Sequence, residues 1–333
     1  MTRMTRMMFA AALFVAVGSP ASRAVEPDKL LPEGTDGVEI INVRQIIDSE
    51  IFKKYAQGPV KQALDKADAR KILGDLGLDP LKDIHQVVVG IVDTSYKPSA
   101  QPKIFGIVHG KFDRQKLMTA AEAQAKKDGD NFAIVKDGNT VLFRFLPPMG
   151  GESIYAAIVN DETIFASNEK KLVTATLKAA ATNQPARVDK DLAALLSKLD
   201  DKAALVAATV VKGKIEAPTV PPGLPVKLDG FLKALPGVDS LTSVVKIGKD
   251  IDIEATLEMK DVAAANDMRT GLDELLQSVK GLLALAGMNT PQIKPLGDVL
   301  AGIQMSSRNK SVNMTAKITG EVIGTIISMA GKK

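Results

Sequence analysis

The sequence predicts an α+β fold of two tandem, similar domains, each an antiparallel sheet with helices packed on one face. Three observations carry this expectation. Residues 84–127 read as strand, loop, strand and helix, and the same unit returns at 241–280. Strand-like runs are separated by Asp137-Gly138 and Asn160-Asp161, residue types that tolerate the positive φ of tight hairpins; short turns of this kind join antiparallel neighbours. The composition, 45% apolar and 25% charged, is that of a chain able to bury a core.

Element by element, Val38–Val43 reads as a short strand. Ile46, Ile47, Ile51 and Tyr55 recur at helical spacing, which predicts a helix over 44–56. Pro59 suits the first turn of a second helix, Val60–Asp75, which Gly74 and Gly77 end. Val87 to Val92 forms a nearly continuous apolar strand, 93–102 a polar loop and Ile104–Lys111 the return strand. Asp113 is placed to cap the following helix. Four further strands are expected at 131–135, 141–146, 154–159 and 163–166, then a helix at 169–181 capped by Asn168. The stretch Thr182–Val188 reads as the domain boundary. Beyond it come a helix at 189–199, a strand at 204–211 and the proline-rich 217–225, whose missing donors forbid a helix interior or a central strand. A short helix near Phe231–Leu235 precedes the hairpin 241–259 and a long helix from its Asp261 cap to about residue 286. A short helical piece between Pro291 and Pro295, a hairpin at 301–319 and a helix at 321–330 complete the chain. The expected units are therefore 1–24, a leader; 25–36, a tether; 37–184, the first domain; and 185–333, the second.

The leader is expected from Arg3 and Arg6, the apolar run Met7–Val17, the breakers Gly18 and Pro20, and small residues at Ser22 and Ala24, the pattern of a cleaved secretory signal peptide. The run is shorter than the roughly 20 residues of a membrane span, and the expected mature chain holds no transmembrane span. Export to the periplasm or the exterior follows, with cleavage after about Ala24. Removing Arg3, Arg6 and Arg23 lowers the 43 basic residues to 40, against 39 acidic ones. The basic balance thus resides in the leader, and with no Trp and three Tyr the chain offers no nucleic-acid surface. The absence of cysteine excludes disulfides, a thiol nucleophile and a lipidated N-terminus.

Candidate chemistry is sparse. His85 and His109 are the only histidines, one on each strand of the first hairpin, with Asp113 just beyond. Two histidines and a carboxylate are a metal-ligand set, yet H-x-H and H-E-x-x-H spacings are absent, so the three are weak metal candidates and strand-packing histidines are the competing reading. Asp250, Asp252 and Glu254 alternate along one strand face; a cation row competes with a solvated face salted by Lys246 and Lys249. The Pro147–Glu152 stretch contains Gly150-Gly151 but leads into a strand, whereas a phosphate cradle needs a helix N-terminus. Asn309 and Asn313 match glycosylation sequons. No G-x-S-x-G elbow is present. The helices 270–286 and 322–330 are apolar enough for core packing or for lipid contact.

The runs LLPEGTDGVEIINVRQIIDSEIFKKY and FGIVHGKFDRQKL resemble a group of uncharacterised exported bacterial proteins: a leucine-proline tether, then a strand and helix, then antiparallel hairpins in two similar halves. The likeness spans most of the mature chain. It implies export and the two-part fold, and carries over no activity, cofactor or site residue. The resulting expectation is a non-enzymatic envelope protein that binds or scaffolds a partner, with no catalytic residues and no cofactor. Its alternatives are a carrier of an apolar ligand or lipid, and a metal-dependent hydrolase.

Overall fold

The computed structural model describes residues 24–92, 102–138, 140–147, 151–182, 187–213, 215–217, 226–289 and 294–330. The leader, the 93–101 loop, residues 148–150, most of the proline-rich stretch and the expected boundary at 183–186 lie outside the described residues.

Among these residues one sheet holds twelve strands: β1 (Thr35–Asn42), β2 (Ile84–Val92), β3 (Lys103–Gly110), β4 (Phe132–Asp137), β5 (Thr140–Phe145), β6 (Ile154–Asn160), β7 (Thr163–Ser167), β8 (Leu205–Val210), β9 (Val238–Ile247), β10 (Asp250–Met259), β11 (Gln304–Arg308) and β12 (Ser311–Thr319). Their order is β11-β12-β10-β9-β8-β1-β2-β3-β7-β6-β5-β4. Every neighbouring pair is antiparallel. The α+β class with an antiparallel sheet is as the sequence predicts. Where the sequence leads one to expect a sheet in each half, the halves share one. At the seam β1 pairs with β8, from Gly37 opposite Thr209 to Ile41 opposite Leu205. Left apart, β1 and β8 would each present a row of unpaired backbone groups, and joining them removes both edges. Read outward from the seam, each side runs strand, hairpin and a strand returning beside that hairpin.

The helices are α1 (Val43–Asp48), α2 (Gln57–Leu64), α3 (Ala67–Leu76), α4 (Pro80–Asp83), α5 (Arg114–Lys127), α6 (Lys170–Ala181), α7 (Lys190–Leu196), α8 (Asp229–Ala234), α9 (Val262–Asn289), α10 (Lys294–Ala301) and α11 (Gly320–Ala330). Several depart from expectation. The helix expected over 44–56 is interrupted at Ser49, whose backbone is extended, and a π-helical turn at Phe52–Ala56 leads into α2. The helix expected over 60–75 breaks at Asp65-Lys66, where Lys66 is extended and opens α3. The turn α4 was not expected; Asp79 caps it by accepting from the Leu81 N–H at 3.1 Å. Asn168 does not cap α6. Its carboxamide is drawn across to β3, accepting from the Ile104 N–H at 2.9 Å, while the Ser167 hydroxyl takes the Glu169 N–H. Asp113 and Asp261 do cap α5 and α9, accepting from Lys116 and Ala264.

Two hydrophobic clusters result. The larger lies on the sheet face that carries Val38 and Ile40. Val206, Ile40, Val88, Ile107, Phe165 and Ala157 form a row across six strands there, each at most 5% exposed. Over this row pack Val173 of α6, Leu192 and Leu196 of α7, and Val25 and Leu31 of the N-terminal strap 24–34. Gly90 lets the strap lie close, since a Cβ there would meet Leu31 at 2.8 Å. The smaller cluster joins Met259 and Val312 to Ala265 and Met268 of α9. The halves also meet at one end of the sheet: the Ile51 N–H donates to the Gly248 carbonyl at 3.1 Å, and α11 passes so near Tyr55 that a Cβ on Gly324 would strike its ring.

Candidate functional site

The site is built by strand register. Alternation puts Gly37, Glu39 and Ile41 of β1 on the face opposite Val38 and Ile40. Following the pairs outward from Glu39 gives a row in which, Val89 apart, the other residues are small. Toward the second half it contains Ala207, Ser243 and Ala255. Toward the first it contains Val89, Gly106, Ala166 and Ala156. Taller side chains flank it. On one side Ile253, Val245, Leu205 and Ile41 continue into Val87, Val108, Ile164 and Ile158. On the other side lie Leu257, Leu241, Thr209, Gly37, Ile91 and Ile104, with Gly37 leaving this side low at β1. Branched side chains line one side of this row throughout and, Gly37 apart, the other side from β10 to β3, which makes a trough whose central row runs across eight strands. At seven spacings of about 4.8 Å it is about 34 Å long.

None of the residues in the small row is buried, nor any in the longer flanking row. Ile104 and Leu241 are 43% and 37% exposed. Only near the β10–β12 end does α9 close over this face, through Met259 and Val312. In all three rows Glu39 is the one charged residue, and it is exposed. Its nearest polar neighbour in register is Thr209, diagonal to it on β8.

The opposite face behaves differently in the second half. There Asp250, Asp252 and Glu254 share a face, as the alternation predicts, with Asp252 and Glu254 exposed and Asp250 largely covered. Lys317 reaches Asp250 at 3.1 Å and Asp252 at 3.7 Å, and Lys246 reaches Asp200 at 3.2 Å. Asp250 and Asp252 thus form a ladder with Lys317. The Gly320 N–H, first, and then the Lys317 ammonium hold the Asp250 carboxyl below the usual carboxylate range. Asp189 is held low chiefly by Lys212, and Asp79 by Lys82.

The sequence-derived metal candidates are not gathered. His109 Nε2 lies 2.5 Å from Asp28 Oδ2 on the strap, with the Thr163 hydroxyl 3.4 Å from Nδ1. His85 falls where β2 shifts register against β3, so Gln86 rather than His85 stands opposite His109. Asp113 is occupied as a helix cap. Among the described residues no group of three or more His, Asp or Glu side chains is placed to hold a metal ion. Asp28, the partner of His109, was not singled out from the sequence: it lies 81 residues away, and no local spacing signals it.

Two cavities accompany the trough. One of about 620 Å³ lies under the strap between Val25, Asp28, Asn42, Gln86 and Val206. Of its polar walls, Asn42 donates to the Ala203 carbonyl and accepts from Gln86 and Asp28 holds His109, while the buried Asp201 Oδ1 has no hydrogen-bond partner among the described residues. The other, about 760 Å³, lies among the helices α2 to α4, with Phe52, Leu73 and Leu81 inside and Lys61, Asp65 and Lys82 at its rim. No described helix is long and apolar enough to cross a membrane.

No protein-family model matches the chain, and no curated protein matches it. Two solved structures are similar to it, crystal forms I and IV of TP0453, a Treponema protein. Form I aligns over 93% of this chain and 99% of its own at 12% identity, with a TM-score of 0.42. Form IV aligns over 92% of this chain and 97% of its own at 9% identity, also with a TM-score of 0.42.

Proposed function

We propose that the chain is an exported, non-enzymatic binding protein whose ligand is an apolar molecule lying in the trough. One observation carries this reading: a sheet face that is largely apolar across eight strands, Glu39 apart, and yet only half-buried. Water against such a surface is unfavourable by roughly 25 cal/mol per Å², and apolar patches of this extent mark binding surfaces. The trough has the shape of an extended hydrocarbon chain rather than of a reacting centre. It presents one carboxylate, two hydroxyls and no base–nucleophile pair. The leader pattern supports export. The matching run of strand, hairpin, helix and returning strand on each side of the seam supports a duplicated unit, with the trough crossing the join. A metal-dependent hydrolase would need His85, His109 and a carboxylate at one point, and His109 is instead held by the strap.

The test is purification of the full chain from the envelope without detergent, followed by solvent extraction and mass spectrometry. The expected result is a stoichiometric apolar compound, lost from an Ala166→Phe, Ala207→Phe variant that remains folded. An extract free of apolar compounds, together with failure of an apolar fluorophore to bind, would contradict the reading.

A further inference from the structure

We propose that Glu39 selects the ligand's polar group, so that the trough takes an amphiphile bearing an ammonium and excludes anionic ones. This rests on the apolar-ligand reading above and goes one step further, to the ligand's charge.

Glu39 stands three strand spacings from the β10 end and four from the β6 end, about 14 and 19 Å. Its cross-strand partners are Val89 and Ala207, neither able to pair with a charge. Glu39 makes no side-chain hydrogen bond or ion pair among the described residues, and no lysine or arginine occupies the three rows. A charged residue at mid-trough therefore has water as its partner until a ligand arrives. Covering a carboxylate with hydrocarbon alone costs several kcal/mol, because an ion taken from water needs a counter-charge or donors. A neutral chain must therefore stop short of Glu39 or give up affinity. An anionic head placed there adds repulsion, which is how a site rejects the wrong partner. An ammonium returns the lost hydration as a charge-assisted hydrogen bond, and the Thr209 hydroxyl is beside it to accept a second N–H. Arms of trough extend to both sides, so the head sits over β1 and the hydrocarbon lies along the small-residue row.

Dodecylamine, dodecanol and dodecanoate, each below its micellar concentration, are used to displace an environment-sensitive apolar fluorophore from the full chain. The amine is expected to compete at least about tenfold better than the carboxylate, with the alcohol between them; tenfold corresponds to about 1.4 kcal/mol. In Glu39→Gln the three should fall within about threefold of one another, with alcohol binding undiminished. Glu39→Lys should reverse the order. Because Glu39 is exposed and unpaired, these variants should keep the wild-type melting temperature, which is measured alongside. Displacement by all three without discrimination, or an unchanged order in Glu39→Gln, overturns the role of Glu39 and leaves the trough standing. Failure of all three to displace the fluorophore overturns the apolar-ligand reading as well.

Discussion

The two faces of this sheet obey different rules. On the strap face, side chains are apolar where α6, α7 and the strap cover them and charged where nothing does, as at Asp252 and Lys317. Polarity there tracks coverage residue by residue. On the trough face the tracking fails. Val87, Val89 and Ile91 alternate with buried neighbours on the same strand, yet they are half-buried. A surface that stays apolar without a cover among the described residues is matched to a cover from outside them, and this contrast carries the functional reading.

The comparison can be broken by equal substitutions on the two faces. Ile107→Ala, at a fully buried site, should cost about 2–5 kcal/mol. Ile41→Ala, half-buried on the other face, should cost about 1 kcal/mol or less. Urea denaturation measures both, and equal losses would show the trough face to be ordinary core. Next in size is the effect of a cover. An apolar ligand at about 100 times its dissociation constant should stabilise the native chain by about 2.7 kcal/mol, and Ala207→Trp should abolish that gain in a thermal-shift assay. The strap can then be loosened. Asp28→Ala removes the partner of His109 and should cost about 1–3 kcal/mol, with faster proteolysis near residue 28 and an unchanged trough. The acid limb should follow Asp79, Asp189 and Asp250, whose folded carboxyls titrate lower than when unfolded. Such groups contribute stability above the unfolded carboxylate range and lose it as pH falls through the lowered range. The melting temperature should therefore drop on acidification below about pH 4, and Asp250→Asn should make that drop shallower. The smallest effect belongs to Asp252→Asn on the exposed ladder, within about 0.5 kcal/mol.

Local structure was largely legible. Hairpins announced themselves through Asp137-Gly138 and Asn160-Asp161, and Gly138 indeed takes a φ of 62°. Asp113 and Asp261 capped as their positions implied. Other features depended on distant partners. Nothing near Asn42 or Leu205 says that β1 and β8 pair, so the fusion of two sheets was not visible. Asn168 looked like a cap until β3 offered it the Ile104 N–H. The trough was hidden for a related reason. VVVGIV reads as a nearly continuous apolar strand, and only the twelve-strand register reveals that one of its faces lacks a cover among the described residues. Asp28 and His109 illustrate the same limit at the level of a single pair.

The absence of cysteine makes one measurement especially direct. A single cysteine at Ala207→Cys in the trough, or at Thr315→Cys on the exposed opposite face, carries an environment-sensitive fluorophore, and each labelled full-length chain is mixed with lipid extracted from the source envelope. A blue shift at residue 207 with none at 315 is the predicted result. Equal responses at the two positions, or silence at 207, would contradict the claim that an apolar ligand covers the trough face.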